Sequence, residues 1–123
     1  MAETKITFDE IADDYSANEV NTWRRWIDGT YIYKKTVDVG TLPNNTIKQI
    51  PHGITSLGRI ISASGAAQPA DKSQIIPLPY TNGGNINYGV SLALDASNIT
   101  LEAKYDRSGM TGFVTVYYTK LGG

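Results

Sequence analysis

Cysteine is absent from this chain of 123 residues. That excludes a disulfide framework, a thiolate metal site and a cysteine nucleophile. Histidine occurs once, at His52, which excludes a multi-histidine metal centre and an HExxH helix. Neither sign of charge dominates, since 11 basic and 12 acidic residues leave a net charge of −1. Such balance argues against a nucleic-acid surface and against attraction to an anionic membrane. No apolar run nears the roughly 18 residues that span a bilayer. Met1-Ala2-Glu3-Thr4-Lys5 lacks the apolar stretch of a secretory leader. The expectation is synthesis in a reducing cytosol, with no nucleic acid, no membrane insertion, no metal and no cofactor involved.

What is present is a globular composition, 41% apolar and 19% charged. A chain of 13.4 kDa makes one domain and buries about two-thirds of its unfolded surface. Residues 1–29 differ in texture from the rest. Phe8, Ile11 and Tyr15 fall at helical spacing among Asp9, Glu10, Asp13 and Asp14, and Thr7 with Glu10 fits a capping box. The spacing predicts a short helix with a thin apolar stripe, which needs a surface to lie on. The four acids do not follow a calcium-loop spacing. Trp23, Trp26 and Ile27 form a second apolar patch around Arg24 and Arg25, closed by the turn signal Asp28-Gly29.

From residue 30 onward, short alternating runs are separated by turn residues. Tyr31, Tyr33, Lys35, Val37 and Val39 share one face of a strand. Short strands follow at 46–50, 57–64 and 74–77, with 65–72 reading as a loop. Tyr88, Val90, Leu92 and Leu94 alternate, as do Ile99, Leu101, Ala103 and Tyr105. Residues 111–120 are apolar on both faces, which suits a central strand or a subunit contact. The pattern predicts an all-β fold, an antiparallel β-sandwich (jelly-roll-like) of about seven or eight strands. An N-terminal arm (1–29) precedes the sandwich domain (30–123).

Several ordered motifs carry a family resemblance. They are Trp26-Ile27-Asp28-Gly29 leading into Ile32-Tyr33-Lys34-Lys35, then Gly40-Thr41-Leu42-Pro43-Asn44, His52-Gly53-Ile54 and Ile76-Pro77-Leu78-Pro79-Tyr80. Asp106-Arg107-Ser108 and the run from Thr111-Gly112-Phe113 to Tyr118-Thr119-Lys120 complete the set. Over residues 15–120 the chain resembles a structural module of tailed-bacteriophage virions, found in tail or head fibres and on capsid surfaces. The resemblance implies a β-rich, non-enzymatic virion component, assembled in the host bacterial cytoplasm and commonly a homotrimer. Its implied partners are itself, other tail or capsid proteins, and a host glycan or protein receptor. A capsid decoration protein and a carbohydrate-binding module are the other two readings.

Candidate chemistry is sparse. His52 lies between Pro51 and Gly53, and Asp38 and Ser56 complete a triad only by residue type, with no nucleophile elbow to support it. Asp95 and Asp106 are both in turn sequences, where aspartate binds its own backbone, so a glycosidase pair is not expected. Asp28, Gly29, His52, Asp106, Arg107 and Ser108 are expected as turn residues. Phe8, Ile11, Tyr15, Trp23, Arg24, Arg25 and Trp26 are the expected attachment surface, because Trp and Arg dominate interface hot spots. Tyr80, Asn82, Asn85 and Asn87 form the candidate receptor-facing loop.

Overall fold

The computed structural model describes residues 15–122. In chain order its strands are β1 (Val20–Arg25), β2 (Tyr31–Thr41), β3 (Asn44–Pro51), β4 (Leu57–Pro69), β5 (Ile76–Leu78), β6 (Val90–Leu94), β7 (Asn98–Asp106) and β8 (Met110–Lys120). They form two antiparallel sheets, β1-β2-β8-β4-β5 and β3-β7-β6. Among the described residues there is no α-helix, only a 3-10 turn at Ile86–Tyr88. The expected all-β class is therefore observed. The expected N-terminal helix, with Phe8 and Ile11, lies outside the described residues.

One two-stranded ribbon runs through both sheets. β2 pairs with β8 from Tyr33↔Tyr118 to Thr41↔Thr111, and the same two segments continue as β3 with β7, from Asn44↔Asp106 to Pro51↔Asn98. The ribbon folds over at Leu42-Pro43 opposite Arg107-Ser108-Gly109. Pro43 has no N–H for a ladder bond, so regular pairing stops there. The Leu42 N–H donates to the Met110 carbonyl (2.9 Å) and the Arg107 N–H to the Pro43 carbonyl (3.1 Å), which fixes the corner. Register shifts flank it, with Gly40 (φ 66°) and Asn45 (φ 48°) in the left-handed region that such irregularities use.

The fold-over stacks the two sheets around one core. β8 supplies Val114, Val116 and Tyr118, β2 supplies Val37 and Val39, and β7 supplies Ile99, Leu101 and Ala103. Leu42 and Met110 fill the corner, and Ile76, Leu78 and Val90 close the far side. β8 is the central strand of its sheet, as apolar residues on both faces require.

Three elements differ from the sequence expectation. Val20–Arg25, read as part of an arm outside the strand-rich body, is the edge strand of the larger sheet. The residues preceding it are bound to the body too, because the Ser16 carbonyl accepts the Thr36 N–H at 2.8 Å. Residues 65–69, read as loop, extend β4 along β8 and β5. Small residues explain the miss: Gly65, Ala66 and Ala67 carry no strand signal but allow two neighbouring backbones to approach. Tyr88, read into a strand, sits in the 3-10 turn capped by Asn85, and regular pairing begins only at Val90.

Candidate functional site

The residues that sequence reasoning singled out collect at two places along the ribbon. The first lies at the start of β2. β1 pairs normally at Val20↔Lys34 and Asn21↔Tyr33, then slips, so that Arg25 faces Tyr31. Thr22, Trp23 and Arg24 are extruded as a bulge. The Thr22 hydroxyl donates to the Ile32 carbonyl (2.6 Å) and accepts the Arg24 N–H (3.3 Å), while the Asn21 side chain accepts the Trp23 N–H (2.8 Å). These bonds hold Trp23 at φ 61°, a left-handed conformation that costs a bulky residue about 1 kcal/mol or more.

The outcome is an indole 73% exposed to solvent. It meets the Tyr31 ring edge-on at 5.4 Å. Arg25 covers the same ring at 4.3 Å and donates to the Gly29 carbonyl and the Tyr31 hydroxyl. Arg59 lies over the Trp26 ring at 6.0 Å, and Ile27 projects beside it into solvent. Trp23 and Arg25 thus gather on the Tyr31 ring, Trp26 pairs separately with Arg59, and Arg24 is exposed. Tyr31 and Arg59 are the other members of these two pairings. Sequence reading missed them, because Tyr31 looks like any strand residue and Arg59 is remote in the chain. Asp28 binds locally: the Thr30 hydroxyl and the Thr30 N–H donate to it, which holds its carboxyl below the ordinary aspartate value.

The second place is the folded corner and the loop over it. Arg107 is 8% exposed, with no carboxylate partner among the described residues. Its Nη2 donates to the Tyr88 carbonyl, its Nε is buried without a hydrogen-bond partner, and its guanidinium faces the Tyr105 ring at 5.0 Å and the Tyr80 ring at 5.6 Å. Tyr88 and Tyr105 meet edge-to-face at 4.8 Å, and both stay substantially exposed. Tyr80 bridges to Val90, which ties the loop to the edge of the smaller sheet.

The asparagines of this loop divide their work. The Asn82 side-chain oxygen accepts the Gly84 and Asn85 N–H groups, and its amide donates to the Tyr80 hydroxyl. Asn85 caps the 3-10 turn by accepting the Asn87 N–H. Asn82 and Asn85 therefore shape the loop. Tyr80 and Asn87 line an open groove of about 410 Å³ with Thr81, Ser91, Glu102 and Lys104. The exposed pair Tyr88–Tyr105 is the part of this surface that sequence reading missed, since each simply continues an alternating run of apolar residues.

Tyr15 is separate from both places. Its ring meets Phe113 edge-on at 5.9 Å, on the outer face of the larger sheet where β8 begins. A second open groove, about 590 Å³, runs along that face between Asp38, Gln68, Ile75 and Phe113.

His52, Asp95 and Asp106 are all structurally engaged. His52 is 1% exposed: its Nδ1 accepts the Ile54 N–H (3.1 Å), its Nε2 contacts the Asp95 carbonyl (3.0 Å), and its own carbonyl accepts Lys35 Nζ (2.7 Å). Asp95 accepts the Ser97 and Asn98 N–H groups, and Asp106 accepts the Ser108 hydroxyl and N–H. Each set of bonds lowers its carboxyl below the ordinary aspartate value. Each carboxylate serves its own turn. Burial, followed by donation to Glu19, pushes the Tyr118 hydroxyl well above the ordinary tyrosine value. Among the described residues no group of three or more His, Cys, Asp or Glu is placed to hold a metal ion. Comparison with protein families, curated proteins and solved structures finds no match to this chain.

Proposed function

We propose that the chain is a structural protein of a tailed-bacteriophage virion that works by binding and assembly, without catalysis. In this reading it is a homotrimer of fibre or tail-tip type. Its N-terminal region attaches the protomer, and its opposite end faces the host receptor or solvent. The ribbon that folds from one sheet into the other supports a jelly-roll-like description of the sandwich.

The observation that carries the reading is the polarity of the fold. The Trp23–Arg24–Arg25–Trp26 segment lies at the start of β2, and the tyrosine corner lies beyond its end at Thr41. Ten residues separate those ends, about 33 Å at the rise of a strand. A small protein with hot-spot residues concentrated at one end and exposed tyrosines at the other fits a part that is held at one end and touches at the other. The acid–base residues are spent on turns, which supports binding over turnover.

Light scattering on the purified full-length chain tests the assembly reading. The expected mass is near three times 13.4 kDa at micromolar concentration. A mass that stays at 13.4 kDa up to millimolar concentration overturns the trimer.

A further inference from the structure

Asn82 and Gly83 stand side by side in the loop between β5 and the 3-10 turn. Eight asparagines occur in the chain, and only Asn82 precedes a glycine. Neither space nor backbone conformation requires that glycine. Its φ lies outside the left-handed region, and a Cβ placed on it would meet nothing within 4 Å. What glycine leaves is an unshielded main-chain nitrogen beside the Asn82 carboxamide. Gly83 is exposed, and its N–H donates to no described acceptor.

The carboxamide is held at both of its polar atoms. Its Oδ1 accepts the Gly84 N–H at 2.9 Å and the Asn85 N–H at 3.1 Å. Two N–H groups on one carbonyl oxygen draw charge away from Cγ, and they stabilise the negative charge that the oxygen gains when Cγ is attacked. Its Nδ2 donates to the Tyr80 hydroxyl at 3.2 Å. A hydroxyl both accepts and donates, and its proton rotates to suit. Tyr80 is therefore placed to hand a proton to that nitrogen as it leaves.

From this arrangement we infer that Asn82–Gly83 is a self-modification site, at which the chain converts its own asparagine to aspartate and isoaspartate through a cyclic imide. The Gly83 nitrogen attacks Asn82 Cγ, an intramolecular step that needs no second reactant. A C–N bond forms, and the Gly83 proton passes to a solvent base. The bond from Cγ to Nδ2 then breaks, and that nitrogen leaves as ammonia with the proton that Tyr80 supplies and solvent restores. Water adds to the imide. Opening at one carbonyl yields aspartate, and opening at the other yields isoaspartate. One water is consumed and one ammonia is released, with no change of oxidation state.

The event happens once per chain, so it is not turnover, and it does not depend on the virion reading. Its consequence falls on the loop that Asn82 shapes. Aspartate keeps an acceptor for Gly84 and Asn85 but adds negative charge beside Tyr80, whose ring faces Arg107 at 5.6 Å. Isoaspartate routes the main chain through the former side chain, which takes that acceptor from the turn. The groove lined by Tyr80 and Asn87 thus has a chemical lifetime.

Peptide mapping by mass spectrometry tests the site on the full-length chain, aged in the folded state at neutral pH. The expected result is that Asn82 converts at least about tenfold faster than any of the seven other asparagines, with both acid products at that position. Gly83→Val puts a β-branched side chain beside the attacking nitrogen, where its Cβ has open space. That variant is expected to slow conversion at least about tenfold, with unchanged far-ultraviolet circular dichroism. The same chain in urea is the reference without the Oδ1 donors and Tyr80. Conversion in the folded chain at or above the rate in urea upholds the inference. A slower folded rate shows that the loop protects Asn82, and overturns it. Conversion that Gly83→Val leaves unchanged also overturns it. The virion reading stands or falls separately, on the mass in solution and on the composition of particles.

Discussion

Gly65→Ala is expected to unfold the protein or to cost at least about 3 kcal/mol, at the severe end of single substitutions. Gly65 lies on β4, paired with Val114 of the central strand on one side and Leu78 of β5 on the other. A Cβ there would lie 1.7 Å from the Phe113 carbonyl oxygen and 3.0 Å from the Val114 Cα. Both are backbone atoms of β8, so no side chain can swing away. Relief requires β8 to move by more than 1 Å, which breaks its ladder to β4 and shifts Val114 and Val116 in the core. Gly112 has a milder version of the same problem, with its nearest backbone atom, the Ala66 oxygen, at 2.8 Å. Urea unfolding monitored by tryptophan fluorescence measures the difference. A loss below about 1 kcal/mol for Gly65→Ala contradicts the packing described here.

His52→Ala is expected to cost about 3 kcal/mol, although the residue follows a proline in what reads as a turn. Its Nδ1 accepts the Ile54 N–H, so the ring proton resides on Nε2 and is donated to the Asp95 carbonyl. The imidazole therefore ties the end of β3 to the β6–β7 turn and to the start of the next connection. Alanine leaves two backbone groups without a partner, at about 1–3 kcal/mol each, and opens a cavity. His52→Gln keeps a donor for Asp95 and is expected to lose less. Equal losses for Ala and Gln would show that volume, not hydrogen bonding, matters here. No loss for either would contradict the structural role.

The fold class was legible because alternation survives wherever one face of a strand is buried. Val114, Val116 and Tyr118 share one face of an alternating run, as do Ile99, Leu101 and Ala103, and both rows face the core. Legibility failed where the backbone carries the information. Gly65-Ala66-Ala67 has no strand signature, yet close approach to β8 demands small residues. Asn21-Thr22-Trp23 gives no sign that its polar side chains bond their own backbone and turn an indole outward. Tyr105 continues the alternation of β7 but lies next to the corner, where only Arg107 and Tyr88 meet its ring and about half of it stays exposed. At the candidate sites, residue type was informative and placement was not. Trp and Arg in adjacent positions marked a segment, but their partners, Tyr31 and Arg59, come from elsewhere in the chain. Arg107 read as a turn residue and is the buried support of three tyrosines.

The central claim is that this chain is a component of a virion, and the composition of purified particles tests it most directly. Quantitative mass spectrometry of the tailed-phage particles that this proposal requires counts the chain's copies against the major capsid protein. The account predicts its presence in a small multiple of three, as a fibre or tail tip requires. Hundreds of copies would move it to the capsid surface as a decoration protein. Its absence from particles purified to constant composition would contradict the account.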